Sequence, residues 1–267
     1  MLPREDDNMH IGVDIKAKIM EDVKEAIRVF QENPERPTKF GEPIIGYVDA
    51  TDSMFDMYFS RRLSNHPKNI FRPGNTVVVH FVPFAPEITE SNRGGDAPSE
   101  AWETAFNDSM WLSMRLNGVI REALDTVGRL SSGTNTPTDW DEELCREEWS
   151  HKLAAYAAGM GEFGPAGCLK TKNGFAGRFG SIITDGKYAQ AMPPLSNEEL
   201  EEAFQKIQRQ YCEKSAAGVV CSQEMINACP AGAIAKDGIN RKICQAHCKT
   251  IDPYIPSPEV CGKCFFY

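Results

Sequence analysis

The last quarter of the chain is constrained above all by its cysteines. Cys229-Pro230-Ala231-Gly232-Ala233-Ile234 is followed by Cys244, Cys248 and then Cys261-Gly262-Lys263-Cys264, and seven of the nine cysteines lie after residue 211. Thiolates hold iron–sulfur clusters, and a proline directly after the last cysteine of a cluster-binding run turns the chain so that this cysteine can reach ligands far downstream. The tail is therefore expected to close around a metal centre, and the rest of the chain to be what that centre serves.

At 267 residues the chain has room for one main domain and a small appendage. Hydrophobic and charged fractions of 41% and 25% are those of an ordinary globular protein. No run approaches the roughly 18 to 20 apolar residues that span a bilayer, so a soluble protein with no membrane partner is expected. Met1 to Asn8 is acidic and polar, without the apolar stretch of an export signal, which makes a cytoplasmic location the expectation. In that setting nine cysteines favour metal or redox chemistry over disulfides. The net charge of −9 provides no broad basic footprint for phosphate backbones and argues against a nucleic-acid partner.

Apolar residues at helical spacing predict a helix from Asp14 to Phe30, ended by Asn33-Pro34. Ile44 to Val48 and Thr76 to Val82 read as strands, the second so continuously apolar that both of its faces should be covered. Met54, Phe55, Tyr58 and Phe59 suit a helix between them. Pro83 to Pro98 reads as a long charged loop, and Ser99 to about Val127 as a helix with Trp102, Phe106, Met110, Met114 and Ile120 mostly inward and Gly128 as its stop. A loop over Ser131 to Asp139, a helix from about Glu142 to Ala158 and a strand over Gly180 to Thr184 follow. Pro193-Pro194 marks the domain boundary, and Ser196-Asn197-Glu198-Glu199 supplies a capping box for a helix reaching Tyr211. The acidic run from Glu198 to Glu202 reads as a solvated helix face. His80 and His151 read as hydrogen-bonded structural histidines, and His247 as a weak candidate ligand.

Gly159-Met160-Gly161-Glu162-Phe163-Gly164 satisfies GxGxxG. A dinucleotide site would need a strand before it and a helix after it, whereas Leu153 to Ala158 is a good helix former and Pro165-Ala166-Gly167 prolongs a loop. These glycines read as a helix cap and tight turns, or as backbone that a large ligand can approach.

Trp149-Ser150-His151-Lys152, Ala157 to Gly164, Leu169-Lys170-Thr171 and Gly177 to Asp185 together resemble the block shared by epoxyqueuosine reductases and corrinoid reductive dehalogenases, most closely the small anaerobe form. Weaker similarity extends to Phe40-Gly41-Glu42-Pro43, to Val82 to Glu87 with Glu90-Ser91-Asn92, and to the tail. The resemblance implies an α+β protein: a nitroreductase-like main domain over residues 1–192 that holds a corrinoid (cobalamin), and a small C-terminal ferredoxin-like iron–sulfur domain over 193–267. It places Gly159, Gly161, Gly164, Leu169, Thr171, Arg178, Gly180, Thr184 and Asp185 near the cofactor, with flavin as the alternative occupant.

The same resemblance assigns Cys229, Cys244, Cys261 and Cys264 as ligands of one [4Fe–4S] cluster. Counting back from Cys229, the three cysteine positions of a CxxCxxCxxxCP run hold Met225, Ser222 and Val219, so the set for a second cluster is absent unless Cys212 and Cys221 substitute. A Cys₄ zinc site on Cys244, Cys248, Cys261 and Cys264 is the rival, but it gives no reason for the Cys-Pro run. Cys145 and Cys168 read as ordinary thiols. The family's Gly-Arg-Asp-Tyr-His element, which carries its proton-donating acid, has no counterpart in Thr104 to Asp108. Three functions are expected to compete: an iron–sulfur oxidoreductase feeding electrons to a corrinoid, a corrinoid-reducing or electron-transfer protein without its own substrate, and a zinc-stabilised binding module. The partners implied are an electron donor such as ferredoxin or flavodoxin and a small-molecule or corrinoid-protein acceptor.

Overall fold

The computed structural model describes residues 14–134, 140–143, 145–210, 214, 218–254 and 260–267. In chain order the elements are α1 (Ile15–Phe30), β1 (Ile44–Asp49), α2 (Ser53–Ser60), α3 (Pro67–Ile70), β2 (Thr76–Pro83), α4 (Pro86–Ser91), α5 (Glu100–Asp125), β3 (Ser131–Gly133), β4 (Trp140–Asp141), β5 (Arg146–Glu147), α6 (His151–Ala157), β6 (Gly161–Phe163), β7 (Leu169–Thr171), β8 (Gly177–Thr184), α7 (Asn197–Gln210), α8 (Gln223–Ala228), β9 (Ile234–Ala235), β10 (Gly238–Ile239) and α9 (Arg241–Ile251). The result is a mixed α/β protein around one small sheet.

That sheet is antiparallel throughout, in the order β1-β2-β8-β3. Every residue of β2 is buried, because helices cover both faces. Val78 and Val82 join Ile19, Val23, Leu112, Leu116 and Ile120 of α1 and α5; Val77, Val79 and Phe81 join Phe55, Tyr58, Trp149, Leu153 and Ile207 of the opposite layer. The strand's period of two thus feeds two cores, which is why it reads as continuously apolar.

The predicted helix from Asp14 begins at Ile15, with the Asp14 carboxylate accepting from the Lys16 and Ala17 amides. The capping box at α7 forms as expected, Ser196 N–H donating to Glu199 Oε2 at 2.7 Å and Glu199 N–H to Ser196 Oγ at 3.2 Å. Helix α7 packs on the main body through Ile207, and the Arg61 guanidinium lies 4.5 Å from the Phe204 ring centroid. Tyr211, the expected helix end, lies outside the described residues.

Four expectations are corrected. The supposed loop over 83–98 contains α4, started by Pro86 at its first turn, where a missing N–H costs nothing. Over 131–139, residues 131–133 form edge strand β3 and 135–139 lie outside the described residues. The expected helix over 142–158 shrinks to α6, preceded by the β4–β5 hairpin. The Ser150 hydroxyl accepts the Leu153 amide and starts the helix there, and Cys145 takes a left-handed φ of 51° in the hairpin connection. On α5, Met114 is 66% exposed rather than inward, beside exposed Trp111.

Candidate metal centre

The tail builds its thiol-bearing segments from short, well-capped pieces. Ser222 caps α8 by accepting the Met225 amide, and Cys229 ends the helix in an extended conformation. Gly232 turns with φ of 61°, which lets the Ala233 N–H reach Cys229 Sγ at 3.3 Å. After the β9–β10 hairpin, Asn240 caps α9, placing Cys244 in its first turns and Cys248 one turn later. Cys261 and Cys264 arrive last, Cys261 just before a left-handed Gly262 and Cys264 within the short 3-10 turn over Lys263–Phe266 that follows it.

These segments converge. Cys229, Cys244 and Cys264 border one apolar cluster made by Ala166, Val219, Cys221, Met225, Ile234 and Ile239. Cys244 and Cys261 border a second, made by Phe106, Cys248 and Val260. Burial pushes the Cys264 thiol well up, and the nearby Cys244, Cys261 and Cys229 push it further. Cys261 is raised by burial and by Cys244 and Cys229, against the opposing backbone hydrogen bond from Lys263. Cys248 is raised first by its hydrogen bond with Cys244 and then by burial. Thiolates gathered in an apolar pocket repel one another, and a bound cationic centre relieves that repulsion. The donor set therefore fits a thiolate-held metal centre. Cys248 belongs to the same gathering; Cys212 lies outside the described residues. Among the described residues, no three His, Cys, Asp or Glu side chains close around a single ion. His247, on α9 between two of the cysteines, leaves Nε2 buried without a hydrogen bond.

Val219 and Met225, at positions where a second cluster would need cysteines, are 8% and 2% exposed and fill the tail's own core, while Ser222 is the α8 cap.

The remaining candidate residues fall into three places. Gly159 caps α6 with φ of 67°. Gly161 and Thr171 pair in the β6–β7 hairpin, where a Cβ on Gly161 would come within 2.3 Å of the Lys170 carbonyl; Gly164 N–H donates to Cys168 O at 2.6 Å, and Leu169 is in the core. The glycine block is thus a helix cap and a tight hairpin, preceded by a helix. On β8, Arg178 and Gly180 face α5: Arg178 Nε donates to Ser109 Oγ at 3.1 Å and Nη2 to Phe106 O at 3.3 Å, and Gly180 makes room for His80 and Ser113. Thr184 and Asp185 lie roughly 20 Å farther along the strand and hold Leu130, through Thr184 Oγ to Leu130 O at 2.9 Å and Leu130 N–H to Asp185 Oδ1 at 2.9 Å.

Both structural histidines are hydrogen-bonded. Fully buried His80 shares a 3.0 Å bond from Nε2 with Asn117 Oδ1, its Nδ1 has no partner, and burial pushes it down to about 4. His151 shares a 2.8 Å bond from Nδ1 with Ser181 Oγ, which also accepts Trp149 Nε1 at 3.0 Å; burial, then His80 and Arg178, push it down to about 3.

Sequence reasoning missed Asn92, Trp102 and Lys263 as contributors to the centre. Trp102 Nε1 donates to Val260 O at 2.6 Å, Asn92 Nδ2 to Cys261 O at 3.0 Å, and Lys263 Nζ to Asn92 O at 3.0 Å. A lysine inside a Cys-x-x-Cys pair was the only local signal.

No family model matches the chain, and no curated protein matches it. Solved structures of similar fold include an epoxyqueuosine reductase from Bacillus subtilis, at 14% identity and a TM-score of 0.49, covering 94% of this chain and 64% of that one. One from Streptococcus thermophilus has 15% identity and a TM-score of 0.47, covering 93% and 65%. An epoxyqueuosine reductase bound to a tRNA stem loop has 14% identity and a TM-score of 0.49, covering 94% and 64%. The chain spans just under two thirds of the length of these proteins.

Proposed function

We propose that the chain is an iron–sulfur oxidoreductase. In this reading Cys229, Cys244, Cys261 and Cys264 hold one [4Fe–4S] cluster in a ferredoxin-like unit over 193–267, and a nitroreductase-like unit over 1–192 holds a corrinoid, with flavin as the alternative. The observation that supports it is the gathering of these four thiols, from three separate chain segments, against two apolar clusters that share Cys244. Once bound, the cluster supplies one-electron transfer. The chain's own contribution is to bury the thiolates, to donate the Ala233 amide to Cys229 Sγ and to lay Phe106 between the centre and Arg178. The donor is a ferredoxin- or flavodoxin-type protein, and the location is cytoplasmic. Purification without oxygen, followed by iron, sulfide and zinc analysis and ultraviolet–visible spectroscopy, tests this; zinc without iron would sink it.

A specific observation favours a second reading, an electron-transfer or corrinoid-reducing protein without a substrate of its own. Asp108, the acid in the helix where the family carries its proton donor, is buried and committed to Thr38 Oγ1 at 2.6 Å and Arg36 Nη1 at 3.1 Å. Reduction of a partner's cobalt, without turnover of epoxide or halogenated substrates, would support that reading. The net charge of −9 runs against a tRNA partner, although one protein of similar fold was solved with a tRNA stem loop. A titration with tRNA at low salt decides between them.

A further inference from the structure

The Cys261–Cys264 pair, on which the proposed centre depends, is tied to the main body as well as to the tail. Val260, Cys261 and Lys263 each make a hydrogen bond to residues between Asn92 and Trp102. The Trp102 indole donates to Val260 O at 2.6 Å, and the Asn92 amide donates to Cys261 O at 3.0 Å. Asn92 is fully buried, and its Oδ1 accepts the Ser99 amide at 3.1 Å, so its orientation is fixed by the start of α5. In return Lys263, only 3% exposed, donates Nζ to the carbonyls of Asn92 and Gly94. Gly262 lies so close to Trp102 that a Cβ would stand 2.5 Å from the indole. Phe266 packs against Trp102, Phe175 and Arg93.

Burying an ammonium is expensive unless its donors are satisfied. Two carbonyl oxygens, Cys261 and the Asp96 carboxylate are what face it, and the thiol gathering becomes anionic when it holds metal.

We propose that Lys263 is a positioning residue that pins the Cys261–Cys264 pair to the loop after α4, so that the last two ligands of the centre exist as a pair only when the tail is docked, and that its fixed positive charge biases the centre toward its reduced form. The second half rests on the iron–sulfur reading above; the first does not.

The experiment therefore has a metal-free arm and a loaded arm, using Lys263→Met and Lys263→Arg in the full chain, with circular dichroism to check folding. In the metal-free protein, Lys263→Met should make the C-terminal segment open about tenfold or more often, read as faster carboxypeptidase release and as a red shift of tryptophan fluorescence from Trp102. Lys263→Arg should restore most of the protection. In protein loaded without oxygen, Lys263→Met should bind less iron, and the centre that does form should have a more negative reduction potential, because a positive charge favours the more negative reduced state. Unchanged protection in the metal-free arm overturns the pin. An unchanged potential in the loaded arm overturns the charge role. Wild-type protein that takes up no iron removes the iron–sulfur reading and leaves the metal-free arm to decide the pin by itself. If Lys263→Met does not fold, Asn92→Ala, which removes the bond to Cys261 O together with the acceptor of the Ser99 amide, takes its place in the metal-free arm.

Discussion

The guanidinium of Arg178 lies 4.5 Å from the centroid of the Phe106 ring, and Phe106 packs in turn against Cys248 and Val260. A strand residue of the main sheet is thereby joined to the tail's thiol pocket through one aromatic ring. Phe106→Ala removes the ring from a buried site and should destabilise the protein by about 3 kcal/mol, with a cavity left behind. Urea denaturation followed by circular dichroism measures this, and the C-terminal segment should lose protection first.

Cys229→Ser and Cys248→Ser separate the two candidate ligand sets. With the cluster on Cys229, Cys244, Cys261 and Cys264, Cys229→Ser should abolish the iron chromophore while Cys248→Ser retains it. Zinc, without an iron chromophore, that survives Cys229→Ser and is lost in Cys248→Ser would assign the metal to Cys244, Cys248, Cys261 and Cys264.

Gly262→Ala forces a Cβ onto the Trp102 indole at 2.5 Å and adopts a φ of 61° that only glycine takes readily. The expected cost is at least about 1 kcal/mol, together with reduced metal content. Differential scanning calorimetry and metal analysis read the two effects.

Stability should fall on acidification through the histidines. His80 and His151 start from an ordinary value of 6.5 and are lowered in the fold to about 4 and about 3. Below 6.5 the unfolded chain takes up protons that the folded chain refuses, so stability is fully present above that pH. It is lost progressively as pH falls toward 4 and below. His80→Gln should flatten this slope between pH 6.5 and 4, measured by denaturant midpoints across pH.

Ser181→Ala deprives both Trp149 Nε1 and His151 Nδ1 of their shared partner. Leaving such groups unsatisfied costs about 1 to 3 kcal/mol, which chemical denaturation would show.

The elements that declared themselves in the sequence did so through periodicity: α1 by its 3.6-residue stripe, β2 by an apolar run serving two cores, α7 by a capping box. The thiol gathering was legible in its spacing for the same reason, since cysteine has few other uses at that density. What stayed hidden depends on partners distant in sequence. Nothing near Asp108 announces that Arg36 pairs with it and that the Thr38 hydroxyl donates to it. Nothing near Asn92 announces Cys261, which is 169 residues away. Helix α6 was overextended because Glu142 to Glu148 is rich in good helix formers, while Ser150, its real start, acts only through one hydroxyl. The residues from Gly159 to Asp185 looked like one block in sequence, yet β8 alone carries Arg178 and Thr184 to opposite ends of the sheet.

Val219 and Met225 give the tail a history that cannot easily be reversed. They occupy, as packing, the positions a second cluster would claim as ligands. Writing cysteines there would strip two of the larger apolar side chains from the cluster beneath α8 before any new metal could compensate.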